Sequence, residues 1–300
     1  MESRSERSEQ QQPEADEMSH LPSSPRIGLA LGGGGARGLA HIPVLEALDE
    51  LGLKPAQIAG TSIGAIMGAA YAGGLSGNDI RKMTLEIFAD RNSVLSRLWQ
   101  LRPRRFVDMF RPGPVQFDPQ RVLEVFIAAY LPDRFEDLKI PLRLLATDFY
   151  GCQEVDFESG PLLPALAASI AIPAIFRPVT LNGRILIDGG VVNPLPFDGL
   201  RTNCDIVIAV DVVGAPVPRT DKNEISMLDS LFGASQILMQ TITTQKLKID
   251  QPDILIRPPH DTVRVLDFMK AERILDSAES LKDTTKEKLE RLLKEPTLVT

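Results

Sequence analysis

Histidine, cysteine and long apolar runs are all scarce in this chain. Its 300 residues hold three histidines and two cysteines. Cys152 and Cys204 cannot build a disulfide framework, and neither sits in a cluster with metal-ligand spacing, so no metal site is expected. Each reads as a small apolar residue of the core. The run from Pro161 to Phe176 is apolar, but Pro164 and Pro173 interrupt it, and no unbroken run reaches the length of a membrane span. Residues 1–25 are rich in Glu, Ser, Gln and Pro, and read as a disordered tail and not as a secretory signal. Basic charge is also short. The net charge of −7 argues against general nucleic-acid binding. Together these absences predict a soluble, cytoplasmic chain that can at most touch a membrane from its surface.

What is present is a normal apolar fraction, 43%, sufficient for a sizeable core. No internal repeat and no clear linker follow the tail, so 26–300 reads as one domain. Arg26 to Leu31 is a buried strand that runs into a glycine loop, Gly32 to Gly38. A helix follows, with Leu39, Ile42, Val44, Leu45 and Leu48 facing in, and Glu46, Asp49 and Glu50 facing out. Gln57-Ile58-Ala59 and the apolar run from Ile63 make a second strand–helix unit. A helix from Asn78 to Phe88 is expected, with Asn78 as its cap.

Beyond Arg91 the pattern weakens. Arg97, Arg102, Arg104, Arg105 and Arg111 interleave with apolar residues, and the stretch 97–111 reads either as a surface lid for an anionic interface or as a solvated loop. A helix capped by Asp118 runs to Tyr130. Two strands, 141–148 and 152–157, form a hairpin. A helix at 162–170 and a strand at 184–187 lead to Asp188-Gly189-Gly190. Residues 205–213 are almost wholly apolar, as in a central strand buried on both faces. Helix at 224–249, strand at 253–257 and helix at 267–294 complete the chain, the last with Lys282 and Lys286 on its solvated side.

The chemistry centres on Gly60-Thr61-Ser62-Ile63-Gly64. A serine between a strand and a helix, with small neighbours, sits on a strained turn at a helix N-terminus. Ser62 therefore reads as a nucleophile, although an N-cap serine on a buried helix would look similar. Acyl transfer also needs a base and donors for the oxyanion. The glycine loop can aim backbone N–H groups inward. Gly33-x-Gly35-x-x-Gly38 also matches a dinucleotide-binding fingerprint, which calls for an acidic ribose ligand about 20 residues on. Glu50 lies near that distance, but at a helix end, and the strand that should carry the acid leads into Gly60 and Ser62.

For the base, His20 lies in the tail and His41 in the helix after the glycine loop. His260 follows Pro258-Pro259 and would suit an α/β-hydrolase triad. Asp188, at the end of an apolar strand, can have a raised pKa and act on serine directly, or can simply start a turn.

Gly33 to Gly38, Gly60 to Gly64 and Asp188-Gly189-Gly190 resemble, in order and rough spacing, the patatin-like phospholipases. Ala168-Ser169-Ile170-Ala171-Ile172-Pro173 and Val192-Asn193-Pro194-Leu195-Pro196 are similar to the family's segments around the Asp strand. The resemblance covers roughly residues 26–215, and 216–300 is a region variable in the family. It implies a three-layer α/β/α fold with a mostly parallel central sheet. It also implies a Ser62–Asp188 dyad, with an oxyanion hole from Gly33, Gly34, Gly35 and Gly38 with Arg37, supported by Gly60, Gly64, Gly189 and Gly190. The implied substrates are phospholipid, lysophospholipid or fatty-acyl esters, with no cofactor. The alternatives are a Rossmann-type nucleotide-binding protein and a non-catalytic regulatory protein on the same fold. Oligomeric state is not legible.

Overall fold

A computed structural model describes residues 25–101, 116–216, 226–259 and 263–294. Most of the predicted tail, most of the 97–111 stretch and His260 lie outside the described residues. Among the described residues eight strands form one sheet: β1 (Ile27–Leu31), β2 (Gln57–Thr61), β3 (Leu142–Asp148), β4 (Gln153–Phe157), β5 (Val179–Leu181), β6 (Arg184–Asp188), β7 (Ile206–Val210) and β8 (Ile254–Ile256). The order is β5-β6-β3-β2-β1-β7-β8, with β4 also on β3. From β3 to β8 along that order the pairing is parallel, and β4, β5 and β6 join antiparallel. The segment beyond 215 thus completes the same sheet, through β8.

Residue alternation along the strands divides the core. Leu29, Leu31, Ile58, Leu144, Ile208 and Val210 face a broad helical layer. That layer contains α1 (His41–Glu50), α2 (Ile63–Gly73), α3 (Gly77–Phe88), α6 (Leu162–Ser169), α8 (Ala271–Ala278) and α9 (Ser280–Lys294). Ala30, Ala59 and Ala209 face the other way, where Leu195, Phe197, Leu200 and Leu247 of α7 (Met227–Ile249) cover them. The second layer is the thinner one, made chiefly by the 195–200 turn and the end of α7 packed on these alanines. Among the described residues no helix is long and apolar enough to cross a membrane.

Several local expectations need correction. Helix α3 is capped by Ser76, not Asn78. Ser76 Oγ accepts from Asp79 N–H at 3.1 Å and the Asp79 carboxylate accepts from Ser76 N–H at 3.2 Å, a reciprocal box that Asn78 cannot make. Arg91–Gln100 is a regular helix, α4, because Asp90 caps it. The helix from Pro119 ends at Phe126 (α5), and 128–130 is a separate tight turn. Cys152 is exposed, at positive φ in the β3–β4 turn, and only Cys204 is buried. Glu46 faces inward, against Arg81 and Lys282, so Lys282 is also less solvated than its pattern suggested.

Candidate active site

The sheet brings the two ends of the site together. One edge of β3 is taken by β4 over Leu144–Asp148. The opposite edge is shared. β2 pairs with it as far as Thr61↔Leu145, and β6, running the other way, begins at Asp188↔Ala146. The ends of β2 and β6 therefore meet head to head, with Ser62 leaving one and Asp188 ending the other. Close approach here demands small residues. A Cβ on Gly64 would strike the carbonyl of Leu31, and one on Gly189 the carbonyl of Leu145, while one on Gly60 would press on the first turn of α2.

Ser62 has φ 55° and ψ −121°, an unusual backbone for a side chain-bearing residue. Its N–H donates to Ser169 Oγ at 3.0 Å, and Ser169 is fully buried at the end of α6. That hydroxyl helps hold the strained turn. The preceding residue is also tied, Thr61 Oγ1 donating to the carbonyl of Asn193 at 2.9 Å.

Ser62 Oγ donates to Asp188 Oδ2 at 2.6 Å. Both residues are buried, at 5% and 6% exposure. Asp188 Oδ1 accepts the Gly190 N–H at 2.7 Å, and Thr147 Oγ1 donates to the Asp188 carbonyl at 2.8 Å. Burial raises the Asp188 pKa from 3.8 to about 6, against the opposing pull of the Ser62 and Gly190 hydrogen bonds. A carboxylate so placed can accept a proton near neutral pH from the one hydroxyl that touches it.

The glycine loop divides into anchored and open amides. Gly33 N–H donates to Pro194 O at 2.9 Å and Ala36 N–H to Val265 O at 2.8 Å. Among the described residues no acceptor meets the amides of Gly34 and Gly35, and both residues line a cavity with Ser62 and Asp188. Gly35 has φ +60°, which aims this turn, and a Cβ there would hit the Val265 carbonyl.

Arg37 departs from its expected place. Its guanidinium is fully buried and turned away, donating to the carbonyls of Val263 and Ala215 at 2.7 Å and to that of Val213. It braces the loops around the site, because a buried cation needs all its donors met. Gly33 and Arg37 are thus not open donors, and Gly38 serves packing against Ile63. His41 is buried, with Nε2 on the Gly32 carbonyl at 2.9 Å, and does not join the Ser62–Asp188 pair.

Two cavities meet at Ser62, and both are lined by Gly35, Ser62 and Ile172. One, of about 430 Å³, lies among Ile63, Met67, Phe126, Phe176 and Phe268 and is almost wholly apolar. The other, of about 130 Å³, is walled by Val191, Val213 and the Leu231, Leu238 and Met239 side chains of α7. Sequence reasoning missed Ser169, Asn193 and Lys246 as parts of this region. The first two stood inside recognised segments without a role, and a lysine in a mixed helix carries no signal.

The structure is thus an α/β protein with a buried serine and carboxylate at facing strand ends, beside a glycine turn and an apolar cavity. The patatin-like phospholipase family matches residues 29–201, and the chain belongs to that family. An uncharacterized NTE family protein of Mycobacterium tuberculosis is 38% identical over 194 residues, 64% of this chain and 51% of that protein. Lysophospholipase NTE1 of Saccharomyces cerevisiae is 27% identical over 86% of this chain and 16% of its own length. The chain thus spans about half the length of the first and a small part of the second. The fold also aligns with VipD from Legionella pneumophila at a TM-score of 0.46 and 13% identity, over 89% of this chain and 67% of that one.

Proposed function

We propose that this protein is a serine acyl hydrolase that cleaves fatty-acyl esters, phospholipids or lysophospholipids, through an acyl-enzyme. The Ser62 Oγ–Asp188 Oδ2 contact of 2.6 Å carries the reading. Asp188 takes the proton as Ser62 Oγ attacks the ester carbonyl. The open amides of Gly34 and Gly35 receive the oxyanion, which such donors stabilise by about 10²–10³ in rate each. The alcohol leaves with the proton from Asp188, and the same carboxylate then activates water to release the fatty acid.

The larger cavity suits a single acyl chain, since it is apolar and starts at Ser62. The yeast relative, named a lysophospholipase, agrees with a lipid substrate. The reading includes work in the cytoplasm at a lipid surface, where Leu95 of α4 is exposed while lining that cavity. A nucleotide reading is less well supported, because β2, Gln57–Thr61, offers no acidic side chain for a ribose. The test is mass spectrometry after treatment with a fluorophosphonate, followed by a lipid panel. Covalent modification at Ser62 with turnover of acyl esters is expected. A folded protein that neither labels nor hydrolyses any ester points to the non-catalytic alternative.

A further inference from the structure

Asn193 and Pro194 together hydrogen-bond beside Asp188, Ser62 and the glycine turn, and neither lines the two cavities. Its backbone N–H donates to the Gly189 carbonyl at 2.9 Å, next to Asp188. Its own carbonyl accepts the Thr61 hydroxyl at 2.9 Å, next to Ser62. The following carbonyl, of Pro194, accepts the Gly33 N–H at 2.9 Å, at the start of the glycine turn. Residues 193 and 194 therefore tie the ends of β6, β2 and β1 to one point.

That point is itself gripped. The Asn193 side chain is buried, Nδ2 donating to Glu154 Oε2 at 2.6 Å and Oδ1 accepting from Lys246 Nζ at 2.6 Å. Lys246, on α7, also donates to the Leu195 carbonyl at 2.9 Å and to Asp198 Oδ1 at 2.6 Å. Glu154, on β4, is held from behind by Arg143 at 2.7 Å. Hydrogen bonds to charged partners at both ends of one amide are stronger and more directional than neutral ones. They fix a supporting residue as a well-built site requires.

We propose that Asn193 is a positioning residue that sets the Ser62–Asp188 geometry, and that Lys246 of α7 holds it in register. The inference rests on Ser62 being the nucleophile. Neither side chain meets substrate. Their effect runs through the strand ends, where a displacement of about 1 Å can cost ~10² in rate.

A purely structural role would lower the melting temperature or the competent fraction, and leave the rate constant of each competent site unchanged. The test therefore follows phosphonylation of Ser62 by a fluorophosphonate, normalised to the final labelled fraction, beside melting curves. The variants are Lys246→Met, Lys246→Arg and Asn193→Leu. Lys246→Met should slow labelling roughly tenfold and Asn193→Leu roughly a hundredfold. Lys246→Arg should recover part of the loss, with KM for a short ester close to that of the unaltered protein.

An unaltered protein that does not label at Ser62 defeats the hydrolase reading itself. If it labels, and Lys246→Met labels with the same rate constant, the positioning inference is overturned. Lys246→Met decides the point whether or not Asn193→Leu folds.

Discussion

Glu46 and Asp188 both expose little surface, 5% and 6%, and Asp188 is the more deeply enclosed, yet their surroundings push them in opposite directions. Glu46 on α1 meets Arg81 of α3 at 2.6 Å and Lys282 of α9 at 2.9 Å. Burial alone would raise its pKa, but these two cations outweigh burial and hold it below the ordinary value. Asp188 has a hydroxyl and a backbone amide, and among the described residues no cation forms an ion pair with it. Its pKa rises to about 6. A carboxylate with cations joins helices, whereas one without them keeps an affinity for protons, which is what general-base work needs.

The largest expected effect breaks the pair by activity. Ser62→Ala and Asp188→Asn should each lower ester hydrolysis by about 10³–10⁴ in kcat/KM. Glu46→Gln should change kcat/KM less than twofold, in assays run well below its melting temperature.

The next prediction sharpens the contrast through stability. Asp188 binds its proton more tightly folded than unfolded, so its contribution to stability is full below about pH 4 and is lost as pH rises through about 6. At pH 7.5 the buried charge costs on the order of 3 kcal/mol. Asp188→Asn should therefore melt several degrees higher than the unaltered protein at pH 7.5, and the gain should vanish at pH 4. Glu46 has the opposite sign. Its pKa is depressed, so its stability is present above the usual glutamate range and is lost as pH falls through the lowered folded value. Glu46→Gln should cost about 2 kcal/mol at pH 7.5, less than for a fully buried pair because both partner side chains are about a fifth exposed. The cost should shrink in acid. Scanning calorimetry of both variants across pH would check the two signs together.

The contrast also marks how far the sequence could be read. Strand–loop–helix units at 27–50 and 57–73 were legible because apolar runs and glycines are local signals. Ser62 and Asp188 stood out for the same reason, each at the junction of an apolar strand and small residues. Glu46 read as solvated because its cations come from residues 81 and 282, and helix periodicity carries no record of distant partners. Arg37 was misplaced likewise. The family resemblance implied a place for it at the oxyanion hole, but the carbonyls that hold it arrive from 213–215 and 263. The cap at Ser76 and the exposed turn at Cys152 were missed through single-residue geometry. The second layer was not legible because the residues that cover Ala30, Ala59 and Ala209 come from 195–200 and 247, far along the chain.

The central claim is that Asp188 alone removes the proton from Ser62, and the pH dependence of Ser62 phosphonylation tests it most directly. The unaltered protein and His260→Ala should show the same single rise with a midpoint near pH 6, and Asp188→Asn should be slow and flat across that range. Loss of the rise in His260→Ala, with Asp188→Asn still labelling rapidly, would contradict the account.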